Sequence, residues 1–418
     1  DAQVDESAAL PADERQPLQA NSARPAVCPG DRWPMFRGVG TSVSAALDLP
    51  LDWSDDAGVA WRLALPGYGQ SSPVMWGDRV FLTTMQGAEK ETATILCIDR
   101  ATGAELWRRE FPSSQRVAAS RFVSRGAPTP CVDAEAVYAF FESGDLVSLS
   151  HDGQPRWQRS LVEDYGSIEG NHGIGGSPLL VAGSLFVPVN HGGPSYLLAV
   201  DPANGDTVWK KDFEPRVGWS SLAALPSGDE TAIVLSAAGA VEAFAAGTGD
   251  SMWRVEGLEG NNVPTPTIVE EWLYVGAQDK ASNMAIRASA DDGASAAIAW
   301  RSDSATSSFG SPLAYRGRVY FVNRSGVAFC LNAADGELIW KERIGESCWA
   351  SPIAAEDRLY FFGNSGETSV YSTEGDAQRL AVNSLEIPSD TRVYGVAVAD
   401  RQFLIRTGSE LICVAPSL

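Results

Sequence analysis

The sequence lacks several features that would place it in a familiar functional class. No apolar run approaches the roughly 20 residues that a membrane-spanning helix needs, and no stretch shows sustained helical periodicity. CxxC pairs, metal-ligand spacings, Gly-rich phosphate loops and the GxSxG and HExxH motifs do not occur. Basic residues are also scarce, since 32 Lys and Arg against 53 Asp and Glu give a net charge of −21. We therefore expect no membrane span, no metal site, no catalytic motif and no nucleic-acid partner.

The first residues are polar and rich in Ala, Pro and acidic side chains. A segment of this composition has too little apolar surface to fold by itself. The sequence also begins without Met. We interpret residues 1–30 as the disordered leader of an exported protein whose signal peptide has been removed, and residues 31–418 as a single domain. This interpretation predicts a periplasmic or extracellular location.

An internal repeat dominates the rest of the chain. A short apolar strand, a turn with Gly, and a strand that carries Trp recur every 40–52 residues, with the Trp residues at Trp107, Trp157, Trp209, Trp253, Trp300 and Trp340. Five copies have Gly four residues before the Trp, at Gly103, Gly153, Gly205, Gly249 and Gly336. A degenerate copy ends at Leu380. This period in a strand-rich sequence is typical of β-propeller blades.

Each repeat also contains a small-residue–Pro strand followed by a β-branched or aromatic strand, which makes four strands per unit, A to D from inside to outside. The C-terminal residues supply strands A to C of one more blade, whereas GVAWRLALP near the N-terminus is a D-type strand with Trp61 and no preceding partners. Joining them leaves no open sheet edge. The sequence therefore predicts an all-β fold, an eight-bladed propeller of four-stranded antiparallel blades whose ring is closed by an N-terminal strand.

The repeated Gly and Trp have structural explanations. Gly permits a positive φ in the C–D turn, and Trp packs between neighbouring blades with an N–H that needs a partner. Of the six cysteines, Cys97, Cys330 and Cys413 lie in apolar strands. This position favours the interpretation that they are small buried residues of the core. One disulfide is possible, but the sequence does not choose a pairing.

Topology indicates where a binding site would lie. The segments before strand A and after strand B share one face of a blade and surround the mouth of the central channel. The ligand-binding candidates on these segments are Arg121, Arg125, Glu169, Asn171, His172, Asn190, His191, Trp219, Asn262, Asp279, Lys280, Asn323, Arg324 and Trp349. Further polar and aromatic residues there are Tyr68, Gln70, Glu142, Arg216, Asn261, Phe309 and Tyr394. We expect a polar funnel lined with aromatic side chains, suited to a small polar ligand.

The tripeptide Asn-His-Gly occurs twice in the third blade, ending at Gly173 and Gly192. The two copies flank strands A and B, so His172 and His191 are expected near one another on the channel face. Three roles stay open for them: capping turns or bonding to backbone, binding a ligand, and binding a transition metal together with a carboxylate.

The pattern A-x-D-x-x-x-G-x-x-x-W, matched in full by Ala199, Asp201, Gly205 and Trp209, resembles the repeat of quinoprotein-type propellers over roughly residues 33–418. Two groups share that repeat: the dehydrogenases that use pyrroloquinoline quinone (PQQ), and the non-enzymatic scaffold propellers similar to BamB of the outer-membrane assembly machinery. The run that begins DRWPMFRGVGTSVS also resembles exported PQQ-binding-like repeat proteins of planctomycete-type bacteria.

The resemblance has different implications for the two groups. The dehydrogenases generally carry an adjacent Cys-Cys pair against the cofactor and a Ca²⁺ site near a catalytic Asp, and this sequence has no adjacent cysteines. No catalytic residue can be transferred, and no cofactor is expected, although PQQ stays open. The resemblance implies a non-catalytic cell-envelope scaffold with envelope proteins as partners. The alternative is a binding protein or enzyme for a small polar ligand, a sugar or a quinone, at the channel mouth.

Overall fold

The computed structural model describes residues 24–118, 123–170, 172–228, 230–260, 262–289 and 295–416. Eight antiparallel blades of four strands form a ring, which confirms the predicted propeller. The inner three strands of each blade are almost wholly buried, whereas the outermost strands alternate between exposed and covered positions. This difference arises because inner strands are covered by a neighbouring blade on both faces.

The strand bounds repeat from blade to blade in the order A, B, C, D. The A strands are Val74–Trp76, Cys131–Val132, Leu179–Val181, Ala223–Ser227, Thr267–Val269, Leu313–Tyr315, Ile353–Ala355 and Val393–Ala399. The B strands are Arg79–Gln86, Ala136–Phe140, Ser184–Val189, Glu230–Ala237, Trp272–Val275, Arg318–Val322, Arg358–Phe362 and Gln402–Thr407. The C strands are Thr92–Asp99, Asp145–Ser150, Ser195–Val200, Ala240–Ala245, Met284–Ala288, Val327–Asn332, Glu367–Ser372 and Glu410–Val414. The D strands are Glu105–Pro112, Pro155–Ser160, Thr207–Phe213, Ser251–Glu256, Ala296–Arg301, Leu338–Arg343, Arg379–Ser384 and Val59–Ala64.

The last blade is completed from the other end of the chain. Val59–Ala64 pairs antiparallel with Glu410–Val414, and Trp61 lies opposite Cys413. The A strand of blade 8 also contacts the A strand of blade 1, so the ring is continuous. The predicted closure is therefore confirmed, and it removes the sheet edge that an open eighth blade would expose.

The Trp and Gly of the repeat connect each blade to the next. Trp61 Nε1 donates to the carbonyl of Arg100 in blade 1 (3.0 Å), and Trp107 Nε1 donates to that of His151 in blade 2 (2.8 Å). A Cβ atom on Gly103, whose φ is +72°, would lie 2.5 Å from the Trp61 ring. The Gly therefore supplies both a left-handed backbone and the space in which the preceding blade's indole lies.

The N-terminal residues 28–46, called the plug below, run into the central channel. The plug enters between the A–B turns of blades 8 and 1, where Gly30 O accepts from Asp400 N (2.7 Å). Two short strands attach it to the hub: Arg32–Trp33 pairs antiparallel with strand A of blade 1, and Val43–Ser44 pairs in parallel with strand A of blade 7. No repeat or motif within this segment predicts that it enters the channel.

A tight turn forms the tip of the plug, where Met35 and Gly38 exchange backbone hydrogen bonds. Gly38 has a φ of +73°, and a Cβ there would lie 3.1 Å from the Trp33 ring, so a larger residue would strain the turn. Arg37, 3% exposed, reaches across to blades 5 and 6. The plug thus bridges opposite sides of the ring.

Part of the expected leader lies within the described residues. Residues 1–23 lie outside the described residues, and Cys28 is buried with its N–H donated to Val43 O (2.8 Å). All six cysteines are buried free thiols. Burial raises the pKa of the Cys97 and Cys413 thiols to about 12, so they remain protonated at neutral pH.

Helix is scarce in this fold. One α-helix, Leu161–Tyr165, and one 3₁₀ helix, Lys280–Ser282, interrupt the strands in the described ranges. None of the helices in the part of the chain that the structure describes has the length and apolar character to cross a bilayer.

Candidate functional site

A chain of hydroxyl groups surrounds the channel just before the A strands. The backbone N–H of each residue except the last donates to the hydroxyl of its counterpart in the next blade, at 2.9–3.0 Å, in the order Ser72, Thr129, Ser177, Ser221, Thr265, Ser311 and Ser351. Except for Ser221, which precedes Leu222, these are the small residues of the repeated small-residue–Pro strand. Their role explains that part of the repeat, because the hydroxyls from Thr129 to Ser351 each satisfy a backbone donor of the preceding blade.

The last hydrogen bond of this series joins Ser311 of blade 6 to Ser351 of blade 7. Blade 8 has Gly395 at this level, and a Cβ atom there would lie 2.1 Å from Ser72 Oγ. Gly395 therefore offers no hydroxyl to blade 7, and it allows the backbone of blade 8 to pack closely against Ser72 of blade 1.

A cavity of about 380 Å³ opens above this ring, on the face that carries the D–A and B–C loops. Its floor is Phe36 at the tip of the plug, and all eight blades contribute to its wall. The lining residues are Phe36, Gln70, Ser72, Val123, Ser124, Ala127, Thr129, His172, Gly175, Ser177, Trp219, Ser221, Val263, Thr265, Phe309, Trp349 and Tyr394. The cavity, called the mouth below, is therefore closed at one end by the chain's own N-terminal segment.

Aromatic rings form an arc along one side of the mouth. Phe309 stacks on Trp349 with centroids 4.6 Å apart, and Trp349 meets Tyr394 edge-on at 5.4 Å. The Tyr394 hydroxyl hydrogen-bonds that of Tyr68 (2.7 Å), and the guanidinium of Arg125 lies 3.5 Å above the Tyr68 ring. The arc thus presents half-buried aromatic faces beside uncharged hydroxyl groups, a surface suited to apolar or aromatic groups.

A buried ion pair holds the wall contributed by blade 2. Lys90 Nζ lies 3.3 Å from Glu142 Oε1 and donates to Ser124 O (3.0 Å), while the backbone N–H of Gly126 donates to the Glu142 carboxylate. Both charged side chains are at most 4% exposed. The pair fixes the loop that carries Arg125, so these charges are part of the frame and are not available to a ligand.

Three of the predicted residues line the mouth: His172, Trp219 and Trp349. Trp219 lies opposite the arc, with its Nε1 donating to Gly173 O (3.1 Å) and its backbone N–H donating to Asn262 O (3.0 Å). Asn262 is 5% exposed and supports this loop from blade 5. Arg121 and Asn171, together with Asn261, lie outside the described residues.

Of the ligand-binding candidates, Asn190 belongs to a charged network beside the mouth, whereas Glu169 does not. Asn190 Oδ1 accepts from Arg216 Nε (3.0 Å), and Arg216 forms an ion pair with Glu242, which also accepts from Arg254. Glu169 has an exposed side chain, and its backbone carbonyl accepts from Gly192 N. These contacts connect blades 3 and 4 behind the cavity wall.

The other predicted residues lie on loops of the mouth face but not among the residues that line the cavity. Asp279 and Lys280 are exposed at the start of the 3₁₀ helix in blade 5. Asn323 Oδ1 accepts from Ser325 N and Val327 N, which is a turn cap, and Arg324 has an exposed side chain. Loop length and direction therefore decide which side chains on this face reach the cavity.

The two histidines of blade 3 have different surroundings. His172 is exposed at the mouth, with its ring 5.7 Å from that of Trp219. His191 is 3% exposed, and its Nδ1 accepts from Glu169 N (3.1 Å) and Gly193 N (2.9 Å). Burial lowers the pKa of His191, opposed by nearby Glu169, so the neutral ring is favoured. These contacts favour a turn-capping role for His191 and leave His172 as the histidine that can reach a ligand.

Sequence reasoning missed the floor of the mouth and the hydroxyl ring. Phe36 lies in a segment with no repeat, and nothing in the repeat indicates that this segment enters the channel. The available signal was the aromatic content of DRWPMFRG in a Gly-rich stretch before the closing strand. Ser72 and its counterparts were visible as part of the repeat, but their hydroxyls were assigned no role.

The residues that line the mouth can be compared with what a metal or PQQ would need. No group of three or more His, Cys, Asp or Glu in the described ranges is arranged to hold a metal ion. PQQ carries three carboxylates, and the described lining contains no Arg or Lys that could neutralise them. Aromatic faces suit its planar ring, but the described lining does not fit its charge.

With the geometry established, comparison with known proteins identifies the family. The family model described as "Outer membrane protein assembly factor BamB" matches residues 51–191, 194–296 and 289–392. The chain therefore belongs to this family of PQQ-like propellers.

Individual relatives are distant. The chain is 25% identical over 223 residues to the outer membrane protein assembly factor BamB of Burkholderia pseudomallei, covering 52% of each chain. It is 26% identical over 169 residues to a polyvinylalcohol dehydrogenase of Pseudomonas sp., covering 36% of this chain and 24% of the dehydrogenase. The match thus spans about half of the first relative's length and a quarter of the second's.

Solved structures show the same fold. The crystal structure of BamB from Moraxella catarrhalis aligns with a TM-score of 0.60 at 14% identity, covering 85% of this chain and 97% of that one. A quinohemoprotein alcohol dehydrogenase from Pseudomonas putida aligns with a TM-score of 0.59 at 11% identity, covering 86% and 76%. At these identities the likeness concerns the fold alone.

Proposed function

We propose that this protein is a non-catalytic binding scaffold of the cell envelope that docks a partner protein at the mouth. Family membership supports the scaffold role, since the related BamB is named as an outer membrane protein assembly factor. An envelope protein, exposed in the periplasm or outside the cell, is the partner we propose on the same ground.

The observation that carries the proposal is a closed, aromatic-lined cup. The plug seals the channel below Phe36, so the mouth is a pocket and not a passage. Half-buried aromatic residues such as Trp349 and Trp219 are the type that dominates the free energy of protein–protein binding when a partner covers them.

The test compares binding of wild type and two variants. A photoreactive residue at the mouth would first identify the envelope protein that contacts it, and the dissociation constant would then be measured with both proteins purified. Trp349→Ala should weaken binding by about 2 kcal/mol, roughly 30-fold. Leu338→Ala, which truncates an exposed apolar residue on the outer strand of blade 6, is the matched control and should bind as wild type does. An equal loss of affinity in both variants, or no loss of affinity in Trp349→Ala, would contradict docking at the mouth.

A sugar is the second candidate ligand, since aromatic faces beside neutral hydrogen-bonding groups such as Gln70 suit a neutral carbohydrate. A quinone, the other alternative, fits the rings but finds no cation in the described lining if it carries carboxylates. Titration of neutral oligosaccharides into the purified protein separates the cases. Saturable binding that Trp349→Ala abolishes, with no protein partner at the mouth, would favour the sugar.

A further inference from the structure

Among the described residues, two arginine side chains are buried without a carboxylate partner, and their surroundings differ. Arg37 in the plug donates to Ser42 Oγ (3.1 Å), Thr267 Oγ1 (2.6 Å) and Pro312 O (2.8 Å), with Thr265 O at 3.5 Å. Neutral oxygen atoms therefore satisfy each of its three nitrogen atoms. A guanidinium can be buried in this way because the surrounding dipoles replace water.

Arg406, on strand B of blade 8, lacks such an arrangement. It is 0% exposed, and its single hydrogen bond joins Nη2 to Thr83 O at 3.4 Å. Its Nε and Nη1 atoms find no acceptor among the described residues. Burial lowers the pKa of this guanidinium to about 9, which leaves it charged at neutral pH. A buried cation with unused donors is costly unless something compensates it.

The side chain of Arg406 points into the seam between blades 8 and 1. Phe403 packs against Tyr360 and Phe362 of blade 7, and side chains alternate along a strand, so Arg406 faces the opposite way. Its contact with Thr83 O confirms this direction. Gly69 makes room for it, because a Cβ there would lie 2.3 Å from Nη2.

A second buried polar group faces the same seam from blade 1. Thr83 Oγ1 donates to Gly126 O of blade 2, so the next residue, Thr84, faces blade 8. Thr84 is 0% exposed, and its hydroxyl has no partner in the described chain. A cationic donor set and a hydroxyl therefore lie on the two facing surfaces of one interface.

We propose that a small monovalent anion of the chloride type binds in this seam, held by Arg406 Nε and Nη1 and by the Thr84 hydroxyl. Such an anion would use the free donors and neutralise the guanidinium, whereas a water molecule would supply only the hydrogen bonds. This seam lies between blade 1 and the blade that the N-terminal strand completes. Anion binding would therefore stabilise the closed ring.

Thermal unfolding in chloride tests the site. The melting temperature is measured as potassium chloride replaces potassium gluconate at constant ionic strength, since gluconate is too large for the seam. Wild type should gain about 2 °C or more in a saturable manner. Arg406→Met should not respond to chloride, and Thr84→Val should respond only at higher concentration. Arg37→Met is the matched control, because it removes an equally buried guanidinium yet should keep the full chloride response.

Bromide provides a measurement that does not depend on a variant folding. Crystals of wild type soaked in bromide should show an anomalous scattering peak in contact with Arg406. A melting temperature that is the same in chloride and gluconate, together with no bromide peak at Arg406, would overturn the proposal and leave a water in the seam. Neither result bears on partner docking at the mouth.

Discussion

The two ends of the central channel belong to the same ring of blades, yet they are built differently. At the end that carries the A–B turns, the plug fills the channel with buried side chains such as Trp33 and satisfies the buried Arg37 with oxygen atoms from two blades. At the other end, Trp349 and Phe309 keep half-buried faces around a cavity.

The difference separates what stabilises the fold from what is free to bind. Side chains at the plugged end are covered, so changes there should lower stability. Aromatic side chains at the mouth retain surface that a partner could cover, so changes there should alter binding and leave stability nearly intact. This division can be tested by substitutions at each end.

The largest effect is expected from Trp33→Ala in the plug. Trp33 is 0% exposed in the core shared by blades 7, 8 and 1, and truncating a buried Trp typically costs about 3–5 kcal/mol of unfolding free energy. Urea unfolding measures the loss. The control is Leu47→Ala, since Leu47 is 64% exposed on the same N-terminal segment and should change stability by less than about 0.5 kcal/mol. A similar small change for Trp33→Ala would mean that the plug does not occupy the channel in solution.

A smaller loss is expected from Arg37→Met. This change removes the hydrogen bonds that tie the plug to blades 5 and 6, but Thr267 Oγ1 can still donate to Pro312 O, and the methionine fills most of the space. We expect a loss of about 1–3 kcal/mol in unfolding free energy. Limited proteolysis is the second readout, with cleavage between residues 24 and 50 accelerated relative to wild type. Unchanged unfolding free energy and an unchanged cleavage rate would show that the hydrogen bonds of Arg37 across the channel do not stabilise the protein.

The ring could be predicted from the sequence because its information is local and repeated. Gly103 and Trp107 lie four residues apart, and their neighbours in the next copies lie one period away, so the blade count and the closure by Trp61 followed from spacing alone. The plug could not be predicted in this way. Trp33 is buried only because eight blades surround it, and that contact is invisible in a segment with no period of its own.

The mouth shows the same limit. Trp219 and Trp349 were found because topology places the loop before each A strand at the channel. Asp279 and Lys280 lie in the segment after strand B of blade 5, on the same face, yet the loop directs them to solvent. Phe36 reaches the mouth from the opposite end of the channel. Strand order therefore predicts which loops share a face, whereas the conformation of each loop determines which side chains line the cavity.

The mouth should tolerate the substitution that the plug does not. Trp349→Ala removes a half-buried ring that stacks on Phe309, so the expected loss of unfolding free energy is about 1 kcal/mol, well below that of Trp33→Ala. Urea unfolding under the same conditions provides the comparison. A loss as large as that of Trp33→Ala would mean that the aromatic arc is part of the structural core, and the distinction between the two ends would fail.

The smallest effect is expected from His191→Asn, and it is a change in how the unfolding free energy depends on pH. It tests whether His191, near the mouth, has a structural role as the side chains of the plug do. Its Nδ1 accepts two backbone N–H groups, and a proton on that atom would abolish both bonds. Burial lowers its pKa from the ordinary value of 6.5, so below pH 6.5 the unfolded chain binds a proton that the folded chain resists. Stability from this group is therefore full above pH 6.5 and declines as the pH falls towards the lowered pKa.

In His191→Asn the amide oxygen can accept the same two bonds without titrating, so the unfolding free energy of this variant should fall less steeply than that of wild type between neutral and mildly acidic pH. Parallel pH profiles for the two proteins would mean that His191 is not held neutral by its turn.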